Sequence, residues 1–438
     1  MDVRIEKLVY GGDGLAHHEG QAVFVPFVLP GEEVSVQPIE RKKKFVRGRV
    51  DRLLSSSPER SIPFCPHFGV CGGCHYQHIP YERQLEFKAA ILRETLRRIA
   101  KIDLKSELRL HASPPWNYRN RTRLQVQTSP EFALGYFRFG SHRFLPVREC
   151  PISSPLLNRV MARLLELRGL GCPAAVEELE LFADADDERL LAWAFCGREA
   201  DKRDLLRWSE ALERELPEIG GVTFFASRRR SSQGQGRLED ESPMDPKTLA
   251  QSGAKAIRYH TKNHEYQVSA GAFFQVNRYL VDELVSVVTG NGTGNVHGDV
   301  ALDLYAGVGL FSAVLGRSFH HIFGVEPSQT AYADFVQNVP ANVKAVGVRT
   351  EDYLRSRPVQ KRPDLVVLDP PRTGAGKAVI RSLVELGAPS VSYVSCDPAT
   401  LARDIAPLLA AGYHIEEAHL FDHFPGTFHI ESVMLLTR

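Results

Sequence analysis

The chain has 438 residues, too many for one compact core, so two or three domains are expected. Hydrophobic residues at 43% and charged residues at 24% are the proportions of a folded globular protein, which sets aside disorder and fibrous repeats. A formal net charge of +1 excludes a uniformly basic binder of polyanions, so any contact with nucleic acid has to come from local basic patches.

The first residues, Met1-Asp2-Val3-Arg4-Ile5-Glu6, form no apolar leader, and no stretch approaches the roughly 18 uninterrupted apolar residues of a membrane span. A cytoplasmic protein with no membrane partner, working as a monomer, is the expectation. Residues 1–58 read as short strands at 5–10, 22–28 and 33–39, separated by Gly11-Gly12-Asp13-Gly14 and Pro30-Gly31, the pattern of a small β-barrel. A fourth strand carries Arg41, Lys42, Lys43, Lys44, Arg47, Arg49 and Arg52 with Phe45 among them. Such a run either tracks a phosphate backbone or blunts a solvated strand edge.

Ser55-Ser56-Ser57-Pro58 marks a linker, and a second unit is placed at 59–262. Seven cysteines are an odd set: Cys65, Cys71 and Cys74 are crowded, while Cys150, Cys172, Cys196 and Cys396 are scattered. In a reducing compartment that crowding points to a metal or cofactor rather than to disulfides. Cys65-x5-Cys71-x2-Cys74, with Gly72 and Gly73 allowing a tight wrap and Cys150 as a fourth thiolate, suits zinc and an iron–sulfur cluster equally by spacing. Apolar residues at Leu85, Ala89, Leu92, Leu96 and Ile99 predict an amphipathic helix over 81–100, able to pack on the unit that follows. Mixed strands and helices continue to about residue 257, interrupted by an exposed Arg-, Ser-, Gln- and Gly-rich loop at 228–245. Within them, Arg119, Arg121 and Arg123 alternate and would share one face of a strand, where they could meet phosphates.

From residue 263 to 438, apolar strands alternate with helices, the signature of a parallel sheet covered on both faces. The strands are placed at 300–305, 321–325, 365–368 and 391–395, and an antiparallel edge hairpin at 415–421 and 429–436. Asp303-Leu304-Tyr305-Ala306-Gly307-Val308-Gly309 is a strand running into a glycine turn and then a helix, and Glu326 closes the next strand, where a carboxylate can accept from ribose hydroxyls. Asp369-Pro370-Pro371-Arg372 and Ser395-Cys396-Asp397-Pro398 stand at two further strand ends, so all should face one crevice. Cys396 lies where a strand ends and a helix begins, a place that lowers a thiol's pKa, although a cysteine at a strand end can equally be a small buried hydrophobe.

The glycine motif resembles the first motif of class I S-adenosylmethionine-dependent methyltransferases. Taken with Ser395-Cys396-Asp397-Pro398-Ala399-Thr400-Leu401-Ala402-Arg403-Asp404, Phe273-Phe274-Gln275-Val276-Asn277 and Phe428-His429-Ile430-Glu431, it makes nearly the whole chain similar to the RNA (uracil-5-)-methyltransferases. The resemblance implies an α/β class I (Rossmann-like) methyltransferase domain at 263–438, an N-terminal TRAM barrel and a mixed α+β central iron–sulfur domain. It implies S-adenosylmethionine as donor, held by Gln275, Tyr305, Gly307, Gly309, Glu326 and Asp369. RNA is the implied substrate, 23S rRNA foremost and tRNA the alternative. The ribosomal branch carries a four-iron, four-sulfur cluster on the cysteine arrangement, here Cys65, Cys71, Cys74 and Cys150. The chain departs from the family where Leu310 and Asp397 replace frequent asparagines.

The chemistry gives the remaining roles. C5 of uracil is too weak a nucleophile to attack a sulfonium methyl, but a thiolate adding to C6 makes C5 an enolate carbon, and a base must later remove the C5 proton. Cys396 is the nucleophile in this reading and Glu431 the base, unless Glu431 is merely an exposed acid on an edge strand. A radical-type RNA modifier would need Cys-x3-Cys-x2-Cys, which is absent. A non-catalytic iron–sulfur RNA-binding module would leave Cys396 and Glu431 without a purpose, and an amine methyltransferase needs no nucleophilic thiol.

Overall fold

The computed structural model describes residues 1–227, 245–262, 264–290, 297–356 and 361–438. The loop expected at 228–245 lies outside the described residues except for Asp245.

The N-terminal unit is a six-stranded sheet wrapped round Val23, Val25, Val34 and Val46. Its strands are Asp2–Arg4, Lys7–Leu8, Asp13–His18, Gln21–Pro26, Glu33–Arg41 and Phe45–Ser55. Burial alternates along them, as a one-sided sheet requires. A Cβ on Gly14 would stand 2.4 Å from Val28 Cγ2, so only glycine fits there. The single strand expected at 5–10 is not formed: Tyr10 leaves the sheet, and two positive-φ glycines, Gly11 and Gly12, turn the chain after it. The basic run is a hairpin rather than one strand. Arg41 ends one strand, Lys42, Lys43 and Lys44 make the turn, and Arg47, Arg49 and Arg52 lie on the next, all exposed.

The central unit is a seven-stranded sheet, antiparallel except where Leu190–Cys196 pairs parallel with Ile219–Ala226. The helices Pro155–Glu166 and Lys202–Glu215 bury Leu157, Leu164, Leu205 and Trp208 in its core. Their N-caps, Ser154 and Asp201, accept from backbone amides, each worth about 0.5–2 kcal/mol. Arg121 and Arg123 share a face as expected. Arg121 stacks on Phe182 and Trp193 with its Nε and Nη2 buried without a hydrogen-bond partner, and Arg123, half exposed, lies over Phe195 and pairs with Glu178.

The C-terminal sheet has eight strands in the order Val343–Val346, Phe319–Val325, Gly298–Leu304, Leu365–Leu368, Ser390–Ser395, Glu431–Thr437, His414–Phe421 and Leu108–His111. The first five run parallel and the reversal at Glu431–Thr437 is the expected antiparallel pairing. The hairpin is not the edge. Leu108–His111 adds parallel to His414–Phe421 and takes that place, and Glu431 stands on an interior strand paired with Ser390–Ser395 on one side and His414–Phe421 on the other. Glu283, His111, His419 and Glu417 hold this edge in a chain of contacts at 2.7, 2.8 and 3.0 Å.

The helix Tyr81–Thr95, continued by the turn Leu96–Ala100, packs against the helix Pro398–Ala410. Its buried stripe contains Ile91, Leu92 and Leu96, but also Gln84 and Lys88, while Ile99 is exposed. Lys88 Nζ lies 2.6 Å from Asp422 Oδ1, both side chains fully buried. The hairpin Ala256–His260 with Glu265–Ser269 straddles the boundary expected at 262 and rests on the helix Gln329–Asn338. No helix among the described residues is long and apolar enough to cross a membrane.

Candidate active site

The strand Gly298–Leu304 is buried along its apolar stretch because helices cover both faces, and its carboxyl end opens into the glycine turn. Tyr305, Gly307 and Gly309 all take positive φ there (69, 56 and 89°). At Gly309 a Cβ would meet Phe335 at 2.5 Å, whereas at Gly307 it would meet nothing within 4 Å, so the turn is tight behind and open in front. Glu326 fastens the turn to the next strand: its carboxylate accepts from the Gly307 amide at 2.9 Å and the Ser328 amide at 2.8 Å. Burial raises its pKa. Leu310 is buried in the core.

Asp303 accepts from Ser312 Oγ at 2.6 Å, but its Oδ1 is buried without a partner, and burial pushes its carboxyl up to about 6. Asp369, at the end of Leu365–Leu368, is raised to about 7 by burial and by Asp303. A crevice crowded with carboxyls held above their ordinary range suits a cation, and S-adenosylmethionine carries a sulfonium and an ammonium. Gln275 lies on the segment between the hairpin 256–269 and the helix Val281–Thr289, anchored by Asn120, whose Nδ2 donates to the Gln275 carbonyl at 3.0 Å.

Cys396 follows Ser390–Ser395, and the helix Pro398–Ala410 begins two residues later. Ser395 pairs across the sheet with Ser432, which brings Glu431 beside Cys396. The thiol is not acidified, contrary to the expectation for a helix N-terminus. Burial, then Glu431 and Asp369, push it up to about 12, against the lowering effect of Arg372. Asp397 caps the helix besides: its carboxylate accepts from the Ala399 and Thr400 amides at 2.9 Å, so these N–H groups of the helix end are taken by the cap, not by the sulfur. Glu431 is itself raised well above its usual range by burial and by Asp369.

The remainder of the motif after Cys396 serves the neighbouring loop. Asp404 accepts from the Ala375 amide and the Tyr393 hydroxyl, both at 2.8 Å, and Arg403 Nη2 donates to the Thr373 carbonyl at 2.8 Å. The helix capped by Asp397 thus holds the loop that carries Asp369 and Arg372.

Two contributors have no signal in the sequence. Tyr10, from the barrel, donates its hydroxyl to the Cys396 carbonyl at 3.2 Å and sets its ring edge-on to Phe428. Lys88 and Asp422 form the buried ion pair already described.

The cysteines divide as expected by position. Cys65, Cys71, Cys74 and Cys150 line one cavity of about 210 Å³, all unbridged, while Cys172 and Cys196 lie elsewhere. Arg119 is in the wall of that cavity, and its Nε is buried without a partner. As they stand, no three His, Cys, Asp or Glu side chains among the described residues form a set that could hold a metal ion.

A parallel sheet with a glycine turn, an acid closing the next strand and polar strand ends in one crevice defines a class I S-adenosylmethionine-dependent methyltransferase, here joined to a small β-barrel. Comparison with known proteins carries this further. Residues 253–438 match the tRNA (uracil-5-)-methyltransferase family and residues 1–50 the TRAM domain. Proteins named 23S rRNA (uracil(1939)-C(5))-methyltransferase RlmD are 33% identical: the one from Halomonas elongata over 99% of this chain and 88% of its own, and the one from Salmonella choleraesuis over 100% and 96%. The crystal structure of the tRNA (uracil-54, C5)-methyltransferase of Pyrococcus abyssi, in complex with S-adenosyl-L-homocysteine, superposes with a TM-score of 0.73 at 26% identity, covering all of both chains. The chain therefore belongs to the RNA (uracil-5-)-methyltransferase family, enzymes that methylate uracil in RNA at C5 with S-adenosylmethionine.

Proposed function

We propose that this chain methylates C5 of a uridine in 23S ribosomal RNA through a covalent bond between Cys396 Sγ and C6. The observation that carries the mechanism is the pairing of Ser395 with Ser432, which sets a thiol and a carboxyl side by side at the mouth of the donor crevice. Gln275, Tyr305, Gly307, Gly309, Glu326 and Asp369 would hold S-adenosylmethionine, which would supply the methyl group. Cys396 gives up its proton as sulfur bonds to C6, and we assign that proton to Asp369, one of the carboxyls whose charge bears on the thiol. Once C5 is methylated, Glu431 takes the C5 proton. The C–H electron pair forms the C5–C6 double bond, and the C6–S pair returns to sulfur.

The roles separate by experiment. Cys396→Ala should bind RNA and donor but form neither adduct nor product. Glu431→Gln should accumulate a denaturation-resistant RNA–protein adduct carrying the methyl label. Normal turnover by Glu431→Gln would refute the base, and 5-methyluridine made by Cys396→Ala would refute the covalent route.

Ribosomal RNA is favoured by the full-length match to the two RlmD proteins. The likeness to the Pyrococcus tRNA enzyme keeps tRNA as the second reading. Methylating 23S fragments and tRNA transcripts side by side decides between them.

We also propose that the four cysteines hold a four-iron, four-sulfur cluster. A zinc ion draws four sulfurs to about 2.3 Å from one point, while a cluster places one thiolate on each of four irons and needs a chamber. Thiols spread round a cavity support the second, and the unpartnered Arg119 Nε supplies a donor toward a group whose thiolates leave it anionic.

A further inference from the structure

The segment 422–430 joins His414–Phe421 to Glu431–Thr437, and Glu431 is its first residue beyond. The connection has no helix or strand of its own. Within it, Thr427 reaches back to the Phe424 carbonyl through its amide and its hydroxyl.

Its other fastenings come from several elements: the Asp422 amide donates to the His111 carbonyl at 2.9 Å, Asn277 Nδ2 donates to the His423 carbonyl at 3.2 Å, and the chain around the cysteine site and the helix Tyr81–Thr95 add the following. The His75 and Tyr76 amides, directly after Cys74, both donate to the Gly426 carbonyl at 2.8 Å. The Gly426 amide donates to Gln84 Oε1 at 2.8 Å. Lys88 Nζ donates to Asp422 Oδ1 at 2.6 Å and to the Phe424 carbonyl at 3.1 Å. The Tyr118 hydroxyl donates to the Pro425 carbonyl at 3.0 Å, and Tyr118 is followed by Arg119 of the cavity wall. The His75 ring lies 4.7 Å from that of Phe428, and the Arg119 guanidinium 5.7 Å from Phe424.

From this we infer that the cysteine-lined turn is a positioning device for the base: it grips 422–430 through Gly426 and Pro425 and thereby sets the Glu431 carboxylate against the C5 proton. The inference rests on the readings of Glu431 as base and of the four cysteines as cluster ligands. His75, Tyr76 and Tyr118 are then positioning residues. Their effect falls on the last step, in which the C5 proton passes to the Glu431 carboxylate, the C–H pair becomes the C5–C6 double bond and the C6–S pair goes back to sulfur. Addition by Cys396 depends on the strand Ser390–Ser395 and its own helix, so it should be largely spared. A displacement of about 1 Å in a catalytic group can cost on the order of 10²-fold in rate.

Two perturbations test this on the full chain: removal of iron by anaerobic chelation, and Tyr118→Phe, which keeps the ring and deletes the hydroxyl that bonds Pro425 and touches Arg119. Backbone amide exchange and the methyl-labelled adduct are the readouts, with iron measured throughout. Iron removal should speed exchange across 422–430 and at His75 and Tyr76 at least tenfold while Ser390–Ser395 stays protected, and labelled adduct should build up. Tyr118→Phe should retain its iron and move both readouts the same way by a smaller factor. Unchanged exchange in 422–430 without iron, or a Tyr118→Phe protein with full iron that turns over with no adduct, overturns the inference. The underlying readings fail separately: wild-type protein without iron removes the cluster, and Glu431→Gln without labelled adduct removes the base. In either case Tyr118→Phe still decides whether the segment is gripped from outside.

Discussion

Replacing Lys88 by methionine removes the cation of an ion pair that has no access to water. Lys88 Nζ and Asp422 Oδ1 are 2.6 Å apart, and both side chains are fully buried. Asp422 Oδ2 already lacks a partner, so the carboxylate left behind would keep no compensating charge. Breaking one side of such a pair costs about 3–5 kcal/mol, a large share of a stability of about 5–15 kcal/mol. For a unit of 150–250 residues, each kcal/mol moves the melting temperature by roughly 2–4 °C, so Lys88→Met should melt roughly 6–20 °C lower. Adding Asp422→Asn should restore at least half of the loss, since the stranded charge rather than the lost attraction is the main penalty. Unfolding followed by tryptophan fluorescence and circular dichroism at one scan rate, on wild type, both single variants and the double, gives the coupling. A drop below about 2 °C for Lys88→Met, or a double variant that falls by the sum of the singles, would refute the reasoning.

Because Cys396 is pushed up to about 12 by burial and its neighbouring carboxylates, its alkylation by a neutral reagent in the free protein should climb about tenfold per pH unit from pH 7 to 10. A plateau below pH 9, followed by mass spectrometry of its peptide, would contradict this. Anaerobically purified protein should hold about four irons per chain, lost on replacing Cys65, Cys71, Cys74 or Cys150 and kept on replacing Cys172 or Cys196; one zinc without iron refutes the cluster. Neutralising Lys42, Lys43 and Lys44 should make the logarithmic salt dependence of RNA binding shallower by about 0.7 per lost single-strand contact, and an unchanged slope would mean a merely solvated turn.

The parts of the site legible in the sequence are those whose neighbours along the chain explain them. Cys396, Asp369 and Glu326 each follow an apolar strand, and strand ends in a parallel sheet face one crevice. What escaped depends on distant partners. Gln84 and Lys88 sit on the buried stripe of a helix whose apolar residues alone suggested the stripe, and only Asp422 and Gly426, brought up by the fold, explain polar groups there. Leu108–His111 is too short for any periodicity to announce it. Arg121 and Arg123 were correctly placed on one face, but the aromatic and acidic residues that meet them lie on other strands and gave no local signal. The thiol's acidity was misjudged because burial and the carboxyls of Glu431 and Asp369, brought up from other strands, outweigh the helix end.

The outermost strand, Leu108–His111, precedes the whole central sheet in the chain, while its partners follow it. Topologically the central sheet is therefore an insertion: the chain lays down one border of the catalytic layer, departs to build another body, and returns through the hairpin Ala256–His260 and Glu265–Ser269. An insert is moored by two strands of polypeptide, so it can rock but cannot swing as a body on one tether does. It follows that severing the chain after the central sheet would not liberate a self-sufficient catalytic half. The fragment would carry His414–Phe421 as a bare rim, with the row of backbone groups that Leu108–His111 had covered offered to any passing strand.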